Sequence, residues 1–184
     1  MQRRTLLKTA GLAIGGAATL GISGNLLASQ QTTGTADPAP LENELEKYPR
    51  CVICNMDRRK FHHTRHLLHY ADQHAQGTCS INCASEAMLR ERKRGFNTIY
   101  AADHGSSSDP KPLVEASGAT YLIGSSLKGV MTQVSKHSFA KRSDAEAEMA
   151  RSGGQLASFE QAVGSSLEDY SRMLGQQYAR DRQS

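Results

Sequence analysis

The chain has 184 residues, a length typical of one globular domain or two small ones, and a formal net charge of +4. Arg3, Arg4 and Lys8 precede the first acidic residue, Asp37, and without these three the balance is 19 basic (22 less 3) to 18 acidic side chains. This near-neutral remainder argues against a nucleic-acid-binding surface. With no Trp and 38% apolar residues, the predicted core is modest and aliphatic, so a metal or disulfide cross-link would stabilise it.

Residues 1–28 have the pattern of an export signal. Arg3 and Arg4 are followed by an uncharged run from Thr9 to Leu27 that is rich in Gly and Ala, as in the charged and apolar regions of a signal peptide. The run is too weakly apolar to predict a stable membrane span. The paired arginines resemble a twin-arginine (Tat) signal, which exports folded proteins. We therefore predict a periplasmic protein cleaved after Ala28, with an uncleaved N-terminal anchor as the alternative.

A flexible linker and a first β-β-α-β unit are predicted next. Residues 29–48 are mostly polar and form the predicted linker, which includes a short helix that ends before Pro49. Residues 49–104 form the first unit. In chain order, its predicted elements are an extended segment over 61–70, a turn at 75–77 leading to Thr78, a helix capped by Ser80 and ended by Gly95, and a strand over 98–102.

The second half of the chain repeats this order in outline. It begins after a loop rich in Gly, Ser and Pro and covers residues 113–176, followed by a polar tail over 177–184. Its predicted elements are strands over 113–114 and 119–123, a helix over 143–152, a strand over 155–159 and a final amphipathic helix over 160–174. Each unit is too small to fold alone. The predicted fold class is therefore α+β, with two small β-β-α-β-type units sharing one core.

The cysteines form the strongest chemical pattern in the chain. Cys51 and Cys54 form a C-x-x-C pair, and Cys79 and Cys83 form a C-x-x-x-C pair at the predicted start of a helix. The C-x-x-C turn directs its two sulfurs to the same side, and the C-x-x-x-C spacing places its two sulfurs one helical turn apart on one face. Treble-clef metal knuckles have the same layout. Four thiolates suit Zn(II) or iron. In an oxidising compartment the same four residues are also typical of two disulfides, and both interpretations stay open on spacing alone.

Methionine and histidine add further donors near these cysteines. Met56 follows Cys54 by two residues, and Met131 lies in a predicted loop rather than at a helical core position. Thiolate and thioether sulfurs together favour Cu(I) over hard metals. Five histidines fall within thirteen residues and could supply one nitrogen ligand, although a solvated polar strand is the preferred interpretation of each; they are His62, His63, His66, His69 and His74. His137 is a weaker candidate.

Several short motifs follow one another in a characteristic order: Cys54-Asn55-Met56, the segment Ala119 to Ser125, Gly129-Val130-Met131, and the segment Ser143 to Phe159. This order resembles the NosL family of copper-accessory proteins associated with nitrous-oxide reductase. The resemblance covers about residues 50–165 and implies two β-β-α-β-type units like those of the organomercurial lyase. It also implies delivery of Cu(I) to a periplasmic copper enzyme such as nitrous-oxide reductase, with Cys54, Met56 and Met131 at the family's sulfur positions.

This chain departs from the family pattern at three places. Asn55 stands where the family usually has Gly, and Val130 stands where it usually has Pro. The signal is Tat-like and has no lipid-attachment Cys. Cys79 and Cys83 are more similar to the heavy-metal-sensing (TRASH-like) knuckle than to familiar copper chaperones.

Three functional hypotheses follow from the sequence. The preferred one is a non-enzymatic metallochaperone that binds Cu(I), with Zn(II) as the alternative ion at the four cysteines. The second is a zinc- or disulfide-stapled module for interaction or metal sensing. The third is a thiol-dependent enzyme, although no phosphate-binding loop, nucleophile elbow or H-E-x-x-H helix is present. Metal ligands are expected among Cys51, Cys54, Met56, Cys79, Cys83 and Met131.

Overall fold

The structure is a computed structural model that describes residues 36–183; the predicted signal peptide lies outside the described residues. The helices of the described part are α1 (Glu44–Lys47), α2 (Ile81–Glu91), α3 (Arg142–Ser152) and α4 (Phe159–Asp181), with short 3-10 turns at Arg92–Arg94 and Ala116–Gly118. The strands are β1 (His66–Tyr70), β2 (Ala75–Thr78), β3 (Phe96–Ala102), β4 (Leu113–Glu115), β5 (Thr120–Ile123), β6 (Lys136–Phe139) and β7 (Gln155–Ala157).

The strands form two antiparallel sheets, one in each half of the chain. The first sheet has the order β2-β1-β3-β4 and the second has the order β6-β5-β7. All five residues of the central strand β1 are buried, as expected for a strand covered on both faces. Two β-β-α-β units are present, β1-β2-α2-β3 and β5-β6-α3-β7. The predicted α+β fold class is confirmed.

Strand pairing in the second half differs from the prediction. The predicted strands over 113–114 and 119–123 lie in different sheets, because β4 pairs with β3 and extends the first sheet. The partner of β5 is β6, which the sequence did not indicate, with Tyr121 opposite Ser138 and Leu122 opposite His137. Strand β6 has the sequence Lys-His-Ser-Phe, and its four residues are all buried. The sequence pattern does not predict this strand, because its mostly polar side chains lack the usual alternation of apolar and polar residues.

Part of the predicted linker packs against the first unit. Within residues 36–48, the Lys47 ammonium lies 2.8 Å from a carboxylate oxygen of Asp37, and the Tyr48 hydroxyl donates to the same carboxylate at 2.6 Å. The Glu44 carboxylate is buried between the guanidinium groups of Arg58 and Arg65, at 2.9 and 2.7 Å. Residues 36–48 are therefore structured rather than a flexible spacer.

The two units share a core, as predicted. Ile81 and Ala101 from the first unit pack in one buried cluster with Tyr121 and Ile123 from β5 and Ala162 from α4. Helix α4 extends to Asp181, so most of the predicted polar tail is helical. Within residues 36–183, no helix combines the length and apolar character needed to cross a lipid bilayer.

Candidate metal centre

The segment containing Cys51 and Cys54 folds as a tight knuckle. The amide of Cys51 donates to the carbonyl of Met56 at 2.9 Å, and the amide of Asn55 donates back to the carbonyl of Cys51 at 2.9 Å. Asn55 has a φ of 60°, in the left-handed region. Glycine adopts this conformation most readily, and Asn is among the few other residues that tolerate it. Asn55 therefore permits the turn at the position where the resemblance places Gly.

The second pair of cysteines lies where β2 leads into α2. Cys79 follows the strand directly, and Cys83 lies in the first turn of the helix. Ser80 occupies the predicted N-cap position with an extended backbone, but its side chain makes no capping hydrogen bond. A hydrogen bond from the Val52 amide to the Gly77 carbonyl, at 3.0 Å, attaches the knuckle to β2. The two cysteine pairs are thereby brought to one place.

The four sulfur atoms converge, which confirms the expectation from their spacing. All lie within 4.8 Å of one another, with 3.5 Å between those of Cys54 and Cys79 and 3.7 Å between those of Cys79 and Cys83. All four cysteines are free thiols. Cys51, Cys79 and Cys83 are buried, whereas Cys54 is only half-buried. Cys54 is thus the thiol most accessible from the surface.

Hydrogen bonding within the cluster shifts the pKa values of its thiols in opposite directions. The Cys79 and Cys83 thiols donate toward the sulfur of Cys51, and this lowers the pKa of Cys51. The same hydrogen bonds raise the pKa of Cys79 and Cys83, and burial adds to the increase. A metal ion that binds these sulfurs as thiolates must displace the protons that the neighbouring thiols hold.

The two candidate methionines lie differently around the cluster. Met56 is partly buried and packs against the cysteines, together with Ile53 and Phe61. Met131 lies in the loop between β5 and β6 and is 50% exposed, as expected for an accessible loop. Its neighbour Val130 is 6% exposed and belongs to the buried cluster of Cys51, Cys79 and Cys83. The Met131 loop therefore borders the sulfur site.

Met131 also lines a cavity of about 330 Å³ beside the start of α2. Asn82, which lies between Cys79 and Cys83 in the sequence, contributes to the same wall, and α4 contributes Asp169, Tyr170 and Met173. Met131 has a φ of 58°, a conformation that costs a residue with a Cβ about 1–2 kcal/mol. Met173 was not predicted as a site residue, because nothing local in the sequence places α4 beside the loop.

The structure does not bring a histidine into the sulfur site. Among the described residues, the group of metal-binding side chains within 4.8 Å consists of the four cysteines alone. His66, His69 and His74 are buried, so the expected solvated strand face is wrong for these three. His62 and His63 precede β1 rather than lie on it. Burial also lowers the pKa of His66 to about 4.

Comparison with known proteins agrees with this architecture. The NosL family profile matches residues 42–167. Among solved structures, the copper chaperone NosL from Shewanella denitrificans is similar at 26% sequence identity and a TM-score of 0.52, covering 60% of this chain and 87% of that one. No match was found among curated proteins.

Proposed function

This chain belongs to the NosL family, and from that premise we propose that it is an exported accessory protein that binds Cu(I) through sulfur and passes it to a copper enzyme. The observation that carries the proposal is the graded exposure of the donors: three thiols are buried, Cys54 is half-buried, and the Met131 thioether is 50% exposed at the border of the site. The similarity to a solved copper chaperone supports it.

The chemistry of the donors favours Cu(I) as cargo. Thiolate and thioether sulfurs are soft ligands, and they bind Cu(I) in preference to hard cations. In the proposed site, Cys54 supplies negative charge, Met131 completes the coordination from the second unit, and Cys51 and Met56 assist. Cys79 and Cys83 hold further thiol protons that can be released as copper enters. A site with exposed donors also permits ligand exchange with an acceptor.

Titration with a competing Cu(I) chelator tests this assignment. Cys54→Ser should weaken Cu(I) binding by about tenfold or more, which corresponds to 1.4 kcal/mol, because it removes an anionic ligand. Met131→Leu should weaken binding by less, because a neutral thioether is lost. Met149→Leu is the matched control, since Met149 packs against the Leu122 and Phe139 core and should leave the affinity unchanged. Parent-like affinity in Cys54→Ser would overturn the proposal.

A zinc-stapled module is the second candidate function, and one observation favours it. Zinc bound to four sulfurs at about 2.3 Å places the sulfurs about 3.8 Å apart, close to the 3.5 and 3.7 Å separations between Cys54, Cys79 and Cys83. A structural zinc would contribute directly to folding. Chelation would then lower the midpoint of urea unfolding strongly, whereas a copper carrier would keep its fold without metal.

The proposed acceptor docks on the exposed surface next to Met131. Met173, which lines the same cavity as Met131, is 49% exposed. Further along α4, Leu174 is 59% exposed and Tyr178 is 65% exposed. We propose nitrous-oxide reductase as the acceptor because of the family resemblance. Met173→Glu should slow copper transfer to the copper-free enzyme without changing Cu(I) affinity. An unchanged transfer rate would remove this surface from the proposal.

Export through the Tat route completes the proposed function. Arg3 and Arg4 form the arginine pair that this route recognises. Replacing both with Lys should leave uncleaved precursor in the cytoplasm, because Lys keeps the charge but not the twin-arginine motif. Unchanged periplasmic accumulation of the double variant, measured by fractionation, would contradict the assignment.

A further inference from the structure

A second group of potential ligands, separate from the cysteines, is formed by His63, His104 and His137, here called the histidine cluster. The His104 and His137 ring centroids are 4.6 Å apart, and the His63 ring centroid lies 6.1 Å from that of His137 and 6.4 Å from that of His104. His63 precedes β1, His104 follows β3, and His137 lies on β6. The cluster therefore joins both halves of the chain.

Backbone hydrogen bonds hold His104 in place, and two ring nitrogens of the cluster have no hydrogen-bond partner. The His104 amide donates to the Ser138 carbonyl at 2.8 Å, and the His104 ring is hydrogen-bonded to the His63 backbone. The Nδ1 atoms of His104 and His137 are buried without a hydrogen-bond partner. Such atoms are rare because each loses its hydrogen bonds to water without replacement. Two such nitrogens lie in one cluster and could bind a ligand without breaking a hydrogen bond.

The surroundings keep the rings in the form that binds metal. His137 is 2% exposed and forms the base of the cluster, whereas His63 and His104 are half-buried. Burial lowers the pKa of all three, that of His137 to about 3, so each ring carries a free lone pair at neutral pH. The nearby charges, namely Lys111, Asp103, Glu148 and the His62–Asp109 pair, are of both signs.

The spacing of the rings is compatible with one shared ion. Imidazoles that coordinate a metal at about 2.0–2.1 Å place their ring centroids about 5 Å apart. The three observed separations, between 4.6 and 6.4 Å, fall on both sides of this value. The ring nitrogens do not all lie within 4.8 Å of one another in this structure. Binding therefore requires side-chain rotation, for which the half-buried His63 and His104 have more room than the buried His137.

We propose that the histidine cluster binds one divalent transition-metal ion through three neutral imidazoles, independently of the cysteine site. Imidazole is a ligand of intermediate softness that suits Zn(II), Cu(II) and Ni(II), and it suits Cu(I) less than the thiolate cluster does. The chain would thus hold two sites of different softness, one made of sulfur and one of nitrogen. Binding at the second site would satisfy the two unused Nδ1 atoms and link β6 to the first unit.

Zn(II) titration of the mature protein under reducing conditions tests the second site. The parent should bind one more equivalent of Zn(II) than His104→Ala or His63→Ala, whatever the number held by the cysteines. His74→Gln is the control, because His74 lies at the β1–β2 turn outside the cluster, and it should keep the parent stoichiometry. Equal stoichiometry in the parent and both cluster variants would overturn the proposal.

Nuclear magnetic resonance of the parent provides a test that does not depend on folding of the variants. With ¹⁵N-labelled histidine, the ring-nitrogen signals of His104 and His137 should shift when the additional equivalent of Zn(II) binds, whereas those of His74 should not. The shift should persist when the cysteine site already holds Cu(I). A failure of the histidine site can therefore be distinguished from a failure of the proposed copper site. Unchanged His104 and His137 signals at saturating Zn(II) would contradict a histidine site.

Discussion

At the scale of single residues, Arg58 holds the cysteine knuckle against the first sheet. Its side chain is fully buried and forms an ion pair with Glu44 at 2.9 Å. The guanidinium also donates to the carbonyls of Tyr48, Thr78 and His66. Because Thr78 immediately precedes Cys79, the same group fixes both the entrance to the knuckle and the strand that carries the second cysteine pair.

Loss of the Arg58 charge should therefore destabilise the fold. Arg58→Met leaves the buried Glu44 with Arg65 as its remaining cation, and breaking a buried ion pair in this way costs about 3–5 kcal/mol of unfolding free energy. The adjacent Arg59 is exposed, so Arg59→Met is the matched control and should change the free energy by less than about 0.5 kcal/mol. Urea unfolding measures both. Similar losses in the two variants would refute this account of Arg58.

A glycine beside Arg58 gives a second prediction at this scale. A Cβ atom at Gly77 would lie 2.5 Å from the Arg58 guanidinium, whereas one at Gly118 would meet nothing within 4 Å. Gly77→Ala should lower the free energy of unfolding by about 1–3 kcal/mol, because the guanidinium has to move from its hydrogen bonds. Gly118→Ala should have little effect. A Gly77→Ala protein as stable as Gly118→Ala would show that Arg58 adjusts freely.

At the scale of elements, an ion pair between buried Lys136 and partly buried Asp169 helps to hold the Met131 loop against α4. The Lys136 ammonium on β6 lies 2.6 Å from an oxygen of Asp169, and the Thr132 hydroxyl donates to the same oxygen at 2.6 Å. Desolvation acts to raise the pKa of Asp169, but the hydrogen bonds from Lys136 and Thr132 outweigh it, so the pKa is lowered. The loop that carries one proposed ligand is therefore held by a helix distant in sequence.

The lowered pKa of Asp169 predicts that its contact with Lys136 and Thr132 weakens in acid. Asp169 stabilises the fold above its unfolded pKa of about 3.9, and this contribution is lost as pH falls through the lower folded pKa. Asp169→Asn should be less stable at pH 6 and should lose less stability than the parent between pH 5 and pH 3. Glu168→Gln, at an exposed neighbouring position, should follow the parent. A parent-like acid profile in Asp169→Asn would contradict this prediction.

Local pattern explains which elements were predictable from the sequence. The convergence of Cys51, Cys54, Cys79 and Cys83 follows from a turn and a helix start, both of which are encoded by short-range spacing. Strand β6 was missed because its burial depends on partners far along the chain, including Ala102, whose carbonyl accepts from the Ser138 hydroxyl at 2.7 Å. The histidine cluster was missed for the same reason, since its members are up to 74 residues apart, from 63 to 137.

At the scale of the whole molecule, a histidine–tyrosine contact joins the two sheets. His66 is 2% exposed, its Nδ1 contacts the Thr64 carbonyl at 3.0 Å, and its Nε2 lies 3.0 Å from the Tyr121 hydroxyl on β5. Because a carbonyl can only accept, Nδ1 carries the proton and Nε2 accepts from the Tyr121 hydroxyl. Protonation of His66 would therefore oppose the contact between the two units.

Acidification should weaken the molecule through His66. Burial lowers the folded pKa of His66 to about 4, whereas the unfolded chain takes up this proton near pH 6.5. Stability is therefore lost as pH falls below 6.5, by about 2 kcal/mol at pH 5 from this residue. His66→Asn should be less stable at pH 7 but should lose about 2 kcal/mol less than the parent between pH 7 and pH 5. Equal losses in urea unfolding would contradict the prediction.

X-ray absorption spectroscopy at the copper edge tests the central proposal most directly. Mature protein loaded with one equivalent of Cu(I) under reducing conditions should show copper bound to two or three sulfur atoms, with no nitrogen or oxygen ligand, because the proposed donors are the four clustered thiols and the thioethers beside them. Cys54→Ser should change this spectrum and Met149→Leu should not. Copper bound mainly to nitrogen or oxygen, or protein that accepts Zn(II) but not Cu(I), would contradict the proposal.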